Sequence, residues 1–281
     1  KAATGRKKTI MVKGGYHGVA PWTQKLGYPG IIDEDVSNNI YVEWNNFDQI
    51  EKAVAQNPGQ IACFMATPYH HPIFTDNVMP EEGYWQKVRK LCTDKGIVLA
   101  IDDVRCGFRL DMSGSDHYFG FKADLMCFCK ALANGWNVSA LCGIDTLKDA
   151  ASSVMYTGSY WLSAVPFAAA LACLTKLKKL NGPEYMLGLG KKLTDGLKAI
   201  GKSYGFDLVI SGAPSLWYMR IANDDSLMLH QEWVSECVRR GAFFANHHNI
   251  NCAMTEEDIK YTHEIAEDAF KAVKKRHPEL G

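Results

Sequence analysis

An α/β architecture with a mainly parallel sheet is the fold class predicted by this sequence of 281 residues, and three observations predict it. Short apolar runs alternate with helical stretches through the first two thirds of the chain, the pattern of an α/β layer. Hydrophobic residues make up 47% of the composition, enough for a large core. The chain is also long enough to divide into a large lobe, residues 1–180, and a small α+β lobe, residues 181–281.

The strand expectations fall at residues 9–12, 61–66, 97–102, 124–129 and 140–144. Between them the clearest helix covers residues 80–95. Pro80, Glu81 and Glu82 open it, lysines gather near its end and Gly96 terminates it. A strongly apolar helix is predicted over 164–180. Asn181-Gly-Pro-Glu184 then breaks it and starts a further helix reaching about Tyr204. In the small lobe residues 207–210, 217–221 and 241–244 read as strands and 226–240 as a helix. Thr255 followed by Glu256, Glu257 and Asp258 caps a last helix. Residues 1–6 resemble the end of an amphipathic helix running into a strand, so the chain is expected to start in mid-architecture.

Thirty-one Lys and Arg balance thirty-one Asp and Glu, so no global field favours nucleic acid or an anionic membrane, and a small-molecule partner is expected. No apolar run approaches the roughly 20 residues that span a bilayer, and the first residues lack a signal peptide's apolar centre, which reads as cytosolic. Nine cysteines without a Cys-x-x-Cys pair read as reduced thiols, with Cys63, Cys127, Cys129 and Cys142 expected in the core. The pairs His70-His71 and His247-His248 lack the acids or cysteines that would complete a metal site, so no metal is expected.

Two residues stand out chemically. Lys130 ends the apolar run Asp124-Leu-Met-Cys-Phe-Cys-Lys130, read as a buried strand. An unpaired buried ammonium is costly and is pushed toward the neutral amine that condenses with aldehydes. Asp102 closes a second buried run, residues 96–102. A lysine for an imine and an acid to keep a pyridine nitrogen protonated are what a pyridoxal phosphate enzyme needs. The plainer readings are a surface lysine and a turn cap.

The strings Asp102-Asp-Val-Arg-Cys-Gly-Phe-Arg109 and Asp124-Leu125, followed by Lys130 and Gly135, resemble the paired signature of class III aminotransferases. That family has fold type I of the pyridoxal phosphate enzymes, and the similarity is greatest to its glutamate-1-semialdehyde aminomutase-like branch. The resemblance implies that Lys130 carries the cofactor, Asp102 pairs with its pyridine nitrogen and Val104 packs on one ring face. Gly14-Gly-Tyr-His-Gly18 resembles the family's Tyr-His-Gly turn, which makes Tyr16 the ring-stacking candidate and places His17 at the cofactor. Thr157 and Ser159 resemble, more loosely, an element that reaches the phosphate from a neighbouring subunit, which implies a homodimer.

Several positions depart from the family pattern. Its Ser-Gly-Thr-Glu-Ala phosphate turn has no counterpart in this chain, so a longer enzyme is one expectation. Thr67 stands where Glu is usual, Asp103 replaces a second Glu, and Asn137 and Ser139 replace Pro and Gly. Residues 69–72 and 160–163 are candidates for lining the pocket or packing at a subunit interface. Arg220 either binds a substrate carboxylate or faces solvent or an acid. The activity these readings imply is amino transfer between an amino acid or amine and a keto acid or aldehyde. The alternatives are an aminomutase, a racemase, or a non-catalytic fragment that keeps the fold.

Overall fold

In the strand β1 (Lys8–Val12), Ile10, Met11 and Val12 are all buried, as expected of a strand covered on both faces. The computed structural model describes residues 1–72, 74–245 and 247–279. Its chain contacts divide into two units, Lys1–Pro72 with Met79–Thr175, and Ile73–Val78 with Lys176–Gly281.

The first unit continues through α1 (Asp33–Val36), β2 (Asn39–Val42), α2 (Phe47–Gln56), β3 (Ile61–Ala66), α3 (Tyr84–Lys95) and β4 (Val98–Asp102). After these come α4 (Ser115–Tyr118), β5 (Leu125–Phe128), β6 (Ala140–Gly143), α5 (Lys148–Ser153) and the start of α6 (Ala164–Lys179). The strands form one sheet in the order β2-β1-β3-β4-β5-β6, parallel except for β6, which pairs antiparallel with β5. The five strands expected in this part of the chain are present, with no end moved by more than one residue. The strand β2 was not anticipated. It lies at the sheet edge and buries only Val42, so it lacks the continuous apolar run that marks its neighbours.

Helix α3 starts at Tyr84 instead of residue 80, because Gly83 is left-handed and interrupts the helical path. It turns Trp85, Val88 and Cys92 inward. The Trp85 indole stacks on Phe121 at 4.6 Å and donates its N–H to the Pro68 carbonyl at 2.9 Å. Asp124 ties β4 to β5: its carboxylate accepts the Leu99 N–H at 2.7 Å and pairs with Arg89 at 2.9 Å.

The second unit holds α7 (Gly182–Ser203), the antiparallel hairpin of β7 (Leu208–Ala213) and β8 (Leu216–Ile221), α8 (Met228–Arg239) and α9 (Glu256–Arg276). Thr255 and Asp258 form the reciprocal cap expected at the start of α9. Leu197, Trp217, Met219, Trp233, Phe270 and Val273 make a core with none of their surface exposed. Residues 241–244 are not a strand. Phe244 points into the core and Phe243 outward, as in extended chain, but no ladder forms and only an isolated bridge joins Tyr218 to His247. Arg220 faces an acid, donating from Nε and Nη2 to the two oxygens of Asp76 at 3.0 and 2.9 Å.

The cysteine reading needs one correction. Cys142 is exposed, since it lies on the edge strand β6, and Cys63, Cys127 and Cys129 are half-buried. The buried thiols are Cys92, Cys106 and Cys237. No helix among the described residues is long and apolar enough to cross a membrane.

Two stability predictions follow for the second unit. A Cβ at Gly190 would lie 1.9 Å from the Pro214 carbonyl oxygen, a backbone atom that cannot step aside. Gly190→Ala is expected to lose about 2–3 kcal/mol in urea unfolding, the usual scale of overpacking. Burial pushes His230 down to about 4 and His248 down to about 3, the latter also lowered by the neighbouring imidazoles of His230 and His247. Both are held neutral in the fold, so only the unfolded chain takes up their protons below its ordinary value of 6.5. Stability is therefore complete above that value and lost as pH falls toward 4 and 3, by up to about 1.4 kcal/mol per pH unit for each histidine. Hydrogen exchange of peptides covering 228–250 should accelerate over that window, and less so in His230→Phe.

Candidate active site

Strands β1, β3, β4 and β5 are parallel, so their carboxyl ends open on one edge of the sheet. The chain adds β2 on one side of β1 and then β3 on the other, so strand order reverses between β1 and β3. Ligand crevices in open α/β sheets form outside the carboxyl ends at such a reversal. The segments following these four strands are residues 13–17, 67–71, 103–107 and 129–133, all within the first unit.

Asp102 is the last residue of β4, opposite Cys127 in the β4–β5 register, and only 8% of it is exposed. One carboxylate oxygen meets His17 Nδ1 at 2.8 Å and the other accepts the Val104 N–H at 3.1 Å. The His17 side chain is fully buried and its Nε2 has no hydrogen-bond partner. With a carboxylate at Nδ1, that nitrogen carries the imidazole proton. Two donors thereby fix the orientation of the Asp102 carboxylate from opposite sides. Tyr16, one residue before His17, is 59% exposed, and Val104 is half-buried.

Lys130 corrects the expectation of a buried amine. Strand β5 ends at Phe128, and Lys130 opens a short 3-10 turn, Lys130–Leu132, with φ of 40° and an exposed side chain. Its amine forms no ion pair or hydrogen bond with the described residues. It nevertheless stands just beyond the carboxyl end of the strand beside β4, two residues after that strand ends. The family-like Gly107-Phe108 pair has a packing reason. A Cβ at Gly107 would lie 2.7 Å from the Phe128 ring and 2.8 Å from the Asp103 carbonyl oxygen, so this turn closes tightly over the end of β5.

Other expected site residues do not join this cluster. Thr157 and Ser159 are exposed in the loop between α5 and α6 and hydrogen-bond to none of its members. Tyr69 is fully buried, edge-on to His71 at 5.7 Å. Thr67 is buried too, its hydroxyl donating to the Tyr69 carbonyl at 2.8 Å, so it shapes the turn after β3. His70 stacks on Trp44 at 6.0 Å and lies next to Gly14, and burial lowers its pKa. Sequence reasoning missed Trp44, which follows the unanticipated β2. Residues 160–162 are exposed, Tyr160 by 87% and Leu162 by 91%.

The sequence matches the aminotransferase class-III family over residues 1–255, and the chain belongs to that family. It is 34% identical to the aminopentol aminotransferase of Sphingopyxis macrogoltabida over 275 residues, covering 97% of this chain and 65% of that protein. It is 25% identical to the glutamate-1-semialdehyde 2,1-aminomutase of Methanocaldococcus jannaschii, covering 97% of this chain and 68% of the relative. The structure superposes on the PLP internal aldimine form of the FumI protein of Sphingopyxis sp. MTA144 with a TM-score of 0.94. There the identity is 33%, over 100% of this chain and 68% of that one. The fold is the type I fold of the transaminases.

These contacts separate a structural from a chemical role. Replacing His17 by Ala removes a donor to a buried carboxylate and should cost about 1.5–3 kcal/mol of stability. Lys130→Met, at an exposed and unpaired position, should change stability by less than about 0.5 kcal/mol. Urea unfolding of the two variants beside the parent chain checks both.

Proposed function

We propose that this chain carries the pyridoxal phosphate site of an aminotransferase, which moves an amino group between an amino acid or amine and a keto acid or aldehyde. One observation carries the proposal: an unpartnered Lys130 amine and a buried, doubly held Asp102 carboxylate stand at the carboxyl ends of adjacent strands. The donor set fits the cofactor. Lys130 would hold its aldehyde as an imine, Asp102 its pyridine nitrogen, and Tyr16 and Val104 its ring faces. When bound, the cofactor supplies a protonated heteroaromatic ring that accepts the electron pair left by a broken C–H bond.

The protein's part is to hold and move protons. Lys130 would be the group that takes the proton from the substrate carbon bearing nitrogen. Its exposure and lack of an ion-pair partner leave it free for that exchange. Asp102 would keep a proton on the ring nitrogen through a charge pair that is stronger in a water-poor site than in solvent. His17 keeps the carboxylate turned toward that nitrogen.

The same reading includes a homodimer. Thr157 and Ser159 are exposed, and beside them Met155, Tyr156, Tyr160, Leu162 and Leu171 each expose 71% or more of their surface. Apolar patches of this kind mark interaction surfaces. A second copy would cover them and receive the two hydroxyls at its phosphate site.

The test is incubation with pyridoxal phosphate, borohydride reduction and peptide mapping. A pyridoxyl label on Lys130, absent from Lys130→Met, is the expected result. A chain that stays colourless and unlabelled favours the non-catalytic reading. Amino transfer further requires an added keto acid for turnover. Product formed without one, with the amine conserved in a single molecule, would instead indicate an aminomutase.

A further inference from the structure

Asp103 lies beside the Asp102 carboxylate in sequence yet takes no part in the chemistry above. It is 1% exposed and has two donors on its carboxylate, both from Ser115, which is itself completely buried. Ser115 N–H reaches one oxygen at 2.9 Å and its hydroxyl donates to the other. The backbone of Asp103 is held as firmly. Its N–H donates to the Cys127 carbonyl at 3.0 Å, and its carbonyl accepts the Gly107 N–H at 2.8 Å. One residue thus secures the loop from 103 to 115 at its origin, at Gly107 and at its far end. Within the same turn, Val104 N–H holds Asp102.

Successive residues at the end of an extended strand point in opposite directions. The Asp103 side chain can therefore be tied to Ser115 while that of Asp102 is directed to His17. We infer that Asp103, clamped by Ser115, is a positioning residue that sets the place of the Asp102 carboxylate and of Val104 for a bound pyridine ring. The inference rests on the aminotransferase reading for its ligand. Its geometry is already complete in the protein alone. The short Asp103 side chain is met by a serine at the loop's far end.

Asp103→Ala removes both acceptors of the Ser115 donors, whereas Asp103→Asn can keep both contacts, its Oδ1 accepting the Ser115 N–H and its N–H₂ donating to the hydroxyl oxygen. Ser115→Ala removes the hydroxyl donor. The primary readout is the His17 Nδ1–H resonance by NMR in the cofactor-free protein, and the second is pyridoxal phosphate affinity by absorbance titration. Asp103→Ala and Ser115→Ala should shift or broaden the resonance while circular dichroism stays that of the parent. They should weaken pyridoxal phosphate about tenfold, the scale of one lost hydrogen bond. Asp103→Asn should keep the parent resonance. A folded Asp103→Ala protein with an unshifted His17 resonance would overturn the inference. A parent chain that binds no pyridoxal phosphate would count against the aminotransferase reading instead, and the His17 resonance would still decide the clamp.

Discussion

The hydrogen bond of 2.8 Å between His17 and Asp102 is the constraint on which the rest of the site depends. It joins the turn after β1 to the end of β4, strands that are not neighbours because β3 lies between them. A buried carboxylate needs donors to remain ionised, and a buried imidazole needs an acceptor to fix its tautomer. Each supplies the other's need, so the two loop ends are locked together at the carboxyl edge of the sheet.

The remaining geometry follows from parallel pairing. Because β4 and β5 run side by side in the same direction, Asp102 and Lys130 emerge at one edge although 28 positions separate them in sequence. The first is buried and held from two sides and the second is exposed and unpaired. This division suits their proposed tasks. An acid that only holds a proton gains from a fixed, dry setting, whereas an amine that must be displaced and return gains from freedom of movement.

Much of this was legible in the sequence, because strands buried on both faces appear as unbroken apolar runs. Residues 61–66 and 97–102 are examples, and the glycine-flanked Tyr16-His17 turn could be placed from its motif. The edge strand β2 was hidden because only one of its four residues is buried. Lys130 was read as buried because apolar residues run up to it, whereas the strand ends at Phe128 and a short turn lifts the lysine out. The extended segment 241–244 has strand-like alternation but lacks a ladder, and pairing cannot be read from composition. The Ser115 clamp was invisible for the same reason: nothing local in Ser115 signals a partner twelve residues earlier.

The central claim is that the Asp102 carboxylate keeps a proton on a bound pyridine nitrogen. Its most direct test is the nitrogen NMR spectrum of the chain loaded with pyridoxal phosphate labelled at the ring nitrogen. The account predicts a protonated nitrogen in the parent chain at neutral pH and an unprotonated one in Asp102→Asn. A bound ring whose nitrogen is unprotonated in the parent, or equally protonated in both proteins, would contradict it.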